Sequence, residues 1–298
     1  METGKRDKES GLIFEISPQT GKPTAVFIES NKIDKYIAYM KEHALEKVYI
    51  NNYKSRHVEF LKENTFITSV EFETEIADCS ALNFLHNLQS LSIHHSDKVV
   101  DFSNFPKLEN LNLTWNKSFI NIDKCSHLKE LTLWKYADES LQLLESFPEL
   151  EELSISDSKI RNLDGIEYCK TLKSITLRRN RNLESIKSLM TRQNTLTELV
   201  IDGSKKLTDY NPVGELSNLK YLYLLGCGAA SNADFVEKLN ILDCGSFDID
   251  IVDGQVSVLL ERPIIFKNYK HFTHKNTLRF KMNSEGKYVL TRNVKLLE

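Results

Sequence analysis

Glycine and proline are scarce, at 11 and 6 in 298 residues, too few for a collagen-like or linker-dominated chain. Cysteine occurs five times, an odd count without a close pair. That argues against a disulfide framework and for a reducing compartment. Neither sign of charge dominates, because 39 Lys/Arg face 42 Asp/Glu for a net charge of −3. Taken whole, the chain predicts neither a nucleic-acid binder nor an acidic tail. No apolar run reaches the ~18 residues that a membrane span needs. The polar start METGKRDKES lacks the apolar stretch of a secretion signal. A soluble, cytoplasmic protein is the expectation. Hydrophobic residues at 41% and charged residues at 27% are ordinary for a folded chain and too apolar for a disordered one. Length alone suits two average domains or one elongated repeat domain.

Leucine is what the sequence has in excess and unevenly. Of 39 leucines, 30 lie between Leu82 and Leu242, a crowding that calls for a search for repeats. The pattern L-x-x-L-x-L matches at Leu88-Leu91-Ile93, Leu108-Leu111-Leu113, Leu128-Leu131-Leu133 and Leu150-Leu153-Ile155. It continues at Leu172-Ile175-Leu177, Leu196-Leu199-Ile201 and Leu219-Leu222-Leu224. Degenerate copies flank these at Leu45-Val48-Ile50, Ile67-Val70-Phe72 and Leu239-Leu242-Cys244. Successive starts lie 20 to 24 residues apart. Three residues after the last anchor stand Asn116 and Asn180, replaced in other copies by Ser96, Ser158, Ser204 and Cys227. Tyr53, Glu75, Tyr136 and Phe247 replace it less conservatively.

On these residues the chain resembles the leucine-rich repeat family over roughly residues 45–244. The segment LEELSISDSKIRNLDGIEYCKT, residues 150–171, is most similar to the short 22-residue class of internalins and phosphatase-regulatory subunits. The resemblance implies an α/β solenoid, a horseshoe whose concave face is a parallel sheet. The residues support the same picture independently. Within each copy the last two anchors alternate with polar residues, as in a short strand with one face buried. One strand cannot bury that face alone, so consecutive copies must stack.

A solenoid needs both ends covered. Residues 1–44 are read as an N-terminal cap of two strands, Leu12–Ile16 and Thr24–Glu29, and a helix. Asn31 is its expected N-cap, with Ile33, Tyr36, Ile37, Met40 and Ala44 on one face. That face can dock a partner helix, but covering the first repeat is the plainer use. Residues 45–244 hold ten repeats. Among the return segments, 138–145 and 184–191 are read as helical turns and 158–168 as an extended crossing. Residues 245–298 form a β-rich C-terminal cap with hairpins about Asp253-Gly254 and Asn283–Gly286.

Motifs for chemistry are missing. Gly21-Lys22 and Gly286-Lys287 lack the upstream glycine of a phosphate-binding loop. His271 and His274 have no cysteine or carboxylate set beside them, and no cysteine sits beside a histidine in a recognisable catalytic arrangement. No cofactor, metal site or enzyme activity is expected. Exposed positions of the concave strands remain as the candidate site. Both tryptophans fall there, Trp115 and Trp134, with His94, His95 and Lys135 beside them. Asp157, Arg178, Arg179 and Asp202 follow in equivalent rows, then Tyr221 and Tyr223. Trp, Tyr and Arg are enriched among interface hot spots, so another protein is the expected partner of a monomeric chain. The competing reading is local, with rings folded over backbone and Asp157, Arg179 and Asp202 neutralising one another across strands.

The end of the chain offers an alternative. Residues 262–298 carry nine Lys/Arg, among them Lys267, Lys270, Lys275, Arg279 and Lys281, against two acids. Such a segment can touch nucleic acid or an acidic protein, although a solvated cap is the simpler reading and nucleic acid the less expected partner. Within the family resemblance, a bacterial toxin-neutralising immunity protein or a signalling-complex scaffold are the roles implied.

Overall fold

The computed structural model describes residues 4–51, 54–231, Phe235, Lys238 and the backbone of five strands between 244 and 293. Its contacts group into two units, Met1–Leu131 and Thr132–Glu298.

The first unit opens with β1 (Lys5–Arg6), β2 (Ile13–Ile16) and β3 (Pro23–Phe27), paired antiparallel in that order. Helix α1 (Ile33–His43) leads to β4 (Lys47–Ile50), which pairs parallel to β3. Parallel neighbours cannot be joined by a tight turn, so α1 is the crossover of this pair, with Tyr36, Ile37 and Met40 buried. The helix differs from expectation at both ends. Lys32 holds the N-cap position in place of Asn31, its ammonium drawn to Glu29 Oε2 and the Gly11 carbonyl, each at 3.0 Å. Ala44 is exposed and left-handed, its N–H closing the helix on the Met40 carbonyl.

From β4 the sheet continues in parallel through β5 (Ser69–Phe72), β6 (Ser90–Ile93) and, past β7 (Val100–Asp101), β8 (Asn110–Thr114). Strand β7 instead pairs with β9 (Phe119–Ile120), a small second ladder between return segments. Register stacks the anchors: Val48 opposes Val70, Val70 opposes Leu91, and Leu91 opposes Leu111. None of these four exceeds 2% exposure. A fully buried aliphatic side chain contributes about 1.5–3 kcal/mol. Stacking therefore supplies what one repeat lacks.

Strand β10 (Glu130–Trp134) spans the boundary between the units. In the second unit β11 (Glu152–Ser156), β12 (Ser174–Arg178) and β13 (Glu198–Asp202) run parallel, and after the short α2 (Asn211–Gly214), β14 (Tyr221–Leu225) joins them. Leu153, Ile175, Leu199 and Leu222 share one row and are buried. Return segments carry 3-10 turns, at Gln142–Ser146 and Lys187–Arg192 close to the expected helical turns. The crossing expected to be extended through residue 168 also ends in one, Ile166–Tyr168. Gly165 begins it at φ 118°, where an added Cβ would sit 2.1 Å from the Leu141 carbonyl oxygen.

The last repeat has another register than the sequence pattern indicates. β15 (Cys244–Asp248) places Gly245 opposite Leu222 and Phe247 opposite Leu224, so Gly245 and Phe247, rather than Leu242 and Cys244, stand in register with the last two anchors of the preceding repeat. Pairing with the preceding strand overrides the spacing of leucines. After β16 (Leu259–Leu260), β17 (Ile264–Phe266) adds one more parallel strand, and β18 (Thr277–Met282) and β19 (Tyr288–Asn293) pair antiparallel. The β18–β19 pair brackets the hairpin expected at residues 283–286; the one expected at Asp253-Gly254 lies outside the described residues.

Candidate binding surface

In each unit the strand positions between anchors face away from the core. In the first, this face is closed at its beginning. The rings of Phe27 and Tyr49 stack at 4.3 Å, and the Tyr49 hydroxyl donates to Glu15 Oε1 at 2.7 Å. Lys47 lies 3.5 Å from the other Glu15 oxygen and also hydrogen-bonds the Tyr49 hydroxyl. Glu71, half-buried beside them, has its carboxyl raised above the ordinary value by burial. These five residues were not among the sequence candidates, although Lys47, Tyr49 and Glu71 occupy the outward positions of the two degenerate first repeats.

Farther along, His94 is half-buried, its Nδ1 3.1 Å from Thr114 Oγ1. Burial holds it below its ordinary pKa, so it is neutral at pH 7. His95 turns the other way, its Nε2 3.1 Å from Asp97 Oδ1. Both lie just beyond β6, which ends at Ile93, and their rings take different partners. Trp115 is half-buried rather than left in water.

The face of the second unit carries Trp134, also half-buried, and the exposed Lys135. Ser156, Arg178, Asp202 and Leu225 form one cross-strand row. The next row holds Asp157 and Arg179, joined by a two-pronged bond of Nε to Oδ1 at 2.9 Å and Nη2 to Oδ2 at 2.6 Å. This guanidinium, helped by Arg181 and Lys135, keeps the Asp157 carboxyl below its ordinary value. For that pair, mutual neutralisation across strands describes the geometry. Arg178 is exposed without such a partner among the described residues, and Asp202 is half-buried. Tyr221 is 42% exposed, while Tyr223 is half-buried.

One backbone device recurs in the second unit. Lys135, Asp157, Arg179, Gly203 and Gly226 each follow a strand and take positive φ, between 52° and 74°. Four of their N–H groups donate to the carbonyl of the residue before the equivalent turn in the next repeat: Lys135 to Ser156, Asp157 to Arg178, Arg179 to Asp202 and Gly203 to Leu225. The glycines were the available signal in the sequence. One residue later runs a buried polar row. Asn180 Oδ1 accepts the Ser158 N–H at 3.1 Å, its Nδ2 donates to the Ile155 carbonyl at 2.9 Å, and Ser158 Oγ accepts the Tyr136 N–H at 2.9 Å. Serine thus takes part of asparagine's role between repeats.

Among the described residues no three His, Cys, Asp or Glu side chains cluster as a metal site, and no helix is long and apolar enough to cross a membrane. Burial pushes the thiols of Cys79, Cys125 and Cys169 up to about 12 and that of Cys227 to about 11, so at neutral pH they are protonated and poor nucleophiles. Of the basic segment, Arg279 and Lys281 belong to β18. Lys267, Lys270, Lys275, His271 and His274 lie outside the described residues.

No protein-family profile matches the chain. An uncharacterized protein of Caenorhabditis elegans, F09G8.5, is 38% identical over 68 residues, 22% of this chain and 14% of that protein, so the match spans a small part of its length. Solved structures align over far more. The internalin InlF of Listeria monocytogenes covers 83% of this chain and 83% of its own at TM-score 0.54 and 16% identity. The leucine-rich repeat protein LIC12759 of Leptospira interrogans covers 76% of this chain and 65% of its own, at 0.51 and 18%. Internalin C2 of Listeria monocytogenes covers 61% and 81%, at 0.50 and 20%.

Proposed function

From a chain built on the leucine-rich repeat fold, we infer a non-catalytic protein-binding module that recognises its partner through the outward face of its parallel sheets. The observation that carries this reading is the side-chain content of that face in the second unit. Folding asks only for polar residues between the anchors, yet Trp134, Arg178 and Tyr221 stand there on short, regularly paired strands. Large aromatic and guanidinium groups held on a rigid frame suit a protein interface, where removing one can cost ~2 kcal/mol of binding or more.

Trp115→Ala combined with Trp134→Ala is expected to abolish capture of a partner identified by mass spectrometry and re-tested pairwise. Because both rings are half-buried, Tyr221→Ala provides a second test that leaves them in place, and melting temperatures separate lost binding from lost folding. Undiminished pairwise binding by every folded variant would refute the reading. Within it we place the protein in the cytoplasm, consistent with four free cysteines among the described residues. Neutralising a bacterial toxin is a finer role, checked by whether a neighbouring gene encodes a toxin that this chain binds. The rival reading, nucleic-acid binding by residues 262–298, rests on nine cations against two acids. It predicts steep loss of binding with rising salt, and absence of binding at low salt dismisses it.

A further inference from the structure

The C-terminal ends of strands β10–β13 lead into residues 134–138, 156–160, 178–182 and 202–206, which hold seven Lys/Arg and three Asp. Equivalent stretches of the first unit, 51–55, 73–77, 94–98 and 114–118, hold three Lys and three acids. In the second unit two of the seven cations have counter-ions, Arg179 on Asp157 and Lys206 on Glu184. Lys135, Lys159, Arg178, Arg181 and Lys205 are exposed and make no ion pair among the described residues. Parallel register brings their turns to one edge at steps of ~4.8 Å. Lys135 keeps a side chain at a positive-φ position that glycine fills in the turns after β13 and β14.

We propose that this edge of the second unit docks an acidic segment of a partner protein, with Lys135, Arg178 and Arg181 as its principal contacts. The proposal rests on the protein-binding reading above and adds the chemistry of what is bound. A nucleic-acid backbone fits less well, because Asp138, Asp157 and Asp202 interrupt the cations at intervals where phosphates would follow one another. A protein segment can set its acids opposite the cations and neutral or basic residues opposite these aspartates. Rim charges of this kind act mainly on encounter rate and on choice of partner.

The test uses the full chain with fluorescein-labelled decaglutamate, decaglutamine and a single-stranded DNA 20-mer at about 50 mM salt, where such contacts are weakly screened. Decaglutamate is expected to bind and decaglutamine not. The triple variant Lys135→Ser, Arg178→Ser, Arg181→Ser should weaken decaglutamate binding at least ~10-fold, as expected for lost complementary charges, with the melting temperature retained. Lys275→Ser, Arg279→Ser, Lys281→Ser in the basic segment should leave it within about twofold, since all three are distant from the edge in sequence and Arg279 and Lys281 belong to β18, which lies in another sheet. No decaglutamate binding, loss confined to the basic-segment variant, or tighter DNA binding through the same edge cations would each overturn the proposal. Failure here remains separable from failure of the broader reading. A chain that ignores decaglutamate but loses its pairwise partner on substitution of Tyr221 refutes only the acidic-edge assignment.

Discussion

At the scale of single residues, the ninth repeat position explains more than its variable identity suggests. Asn180 is fully buried and satisfies two backbone groups of the preceding repeat, the Ser158 N–H and the Ile155 carbonyl. Asn180→Ala would strand both, and an unpaired buried backbone group costs about 1–3 kcal/mol. A loss of about 2–4 kcal/mol in urea unfolding follows. Asn116→Ala, at a half-buried position with a longer 3.4 Å bond to the Ser96 carbonyl, should cost less. An equal loss at both sites would refute the bridging role. The position itself was legible from spacing. What spacing could not show is that a serine hydroxyl spans the same gap, or that Lys135 and Arg179 take a conformation for which glycine is the usual residue.

Among elements, the N-terminal assembly depends on one carboxylate. Glu29 accepts from both terminal nitrogens of Arg6 on β1, from Lys32 at the helix cap and from the Tyr36 hydroxyl on α1. The Tyr36 hydroxyl in turn accepts the N–H of Ile13 on β2. The Arg6 guanidinium above all holds the Glu29 carboxyl at about 2, against an ordinary value of 4.5. A depressed carboxyl stabilises the folded state above its unfolded pKa and ceases to as pH falls through the folded one. Stability should therefore decline between pH 4.5 and 2 for this reason, and Glu29→Gln should flatten that part of the urea midpoint profile. An unchanged acid slope would show that other carboxyls govern it. The hairpin and helix were readable from turn residues and apolar spacing, but the latch was not. Its members lie at 6, 29, 32 and 36 in the chain, and only folding makes them neighbours.

For the whole molecule, the stacked anchors were visible because burial in a parallel sheet repeats the same demand every 20 to 24 residues. The final repeat was misplaced because leucine spacing and strand pairing disagree there, and pairing decides. The outward face was readable as a set of positions, whereas which side chains are neutralised locally, as Arg179 is by Asp157, depends on rotamers that spacing does not encode. The cysteines have a consequence of another kind. Cys79 and Cys125 lie in the first unit, Cys169 and Cys227 in the second, and burial raises all four thiols to about 11 or 12. Cys79, Cys125 and Cys169 are buried, whereas Cys227 is half-buried, so a thiol reagent reaches the first three only when the surrounding repeats open, and their labelling rates measure opening free energies. With stability set mainly by neighbouring repeats, mass-resolved labelling should give one rate class for Cys79 and Cys125 and another for Cys169, and a single common rate for these three would mean that the two units open together. Three side chains without a catalytic assignment thus become native clocks, timing the transient disassembly of the protein that contains them.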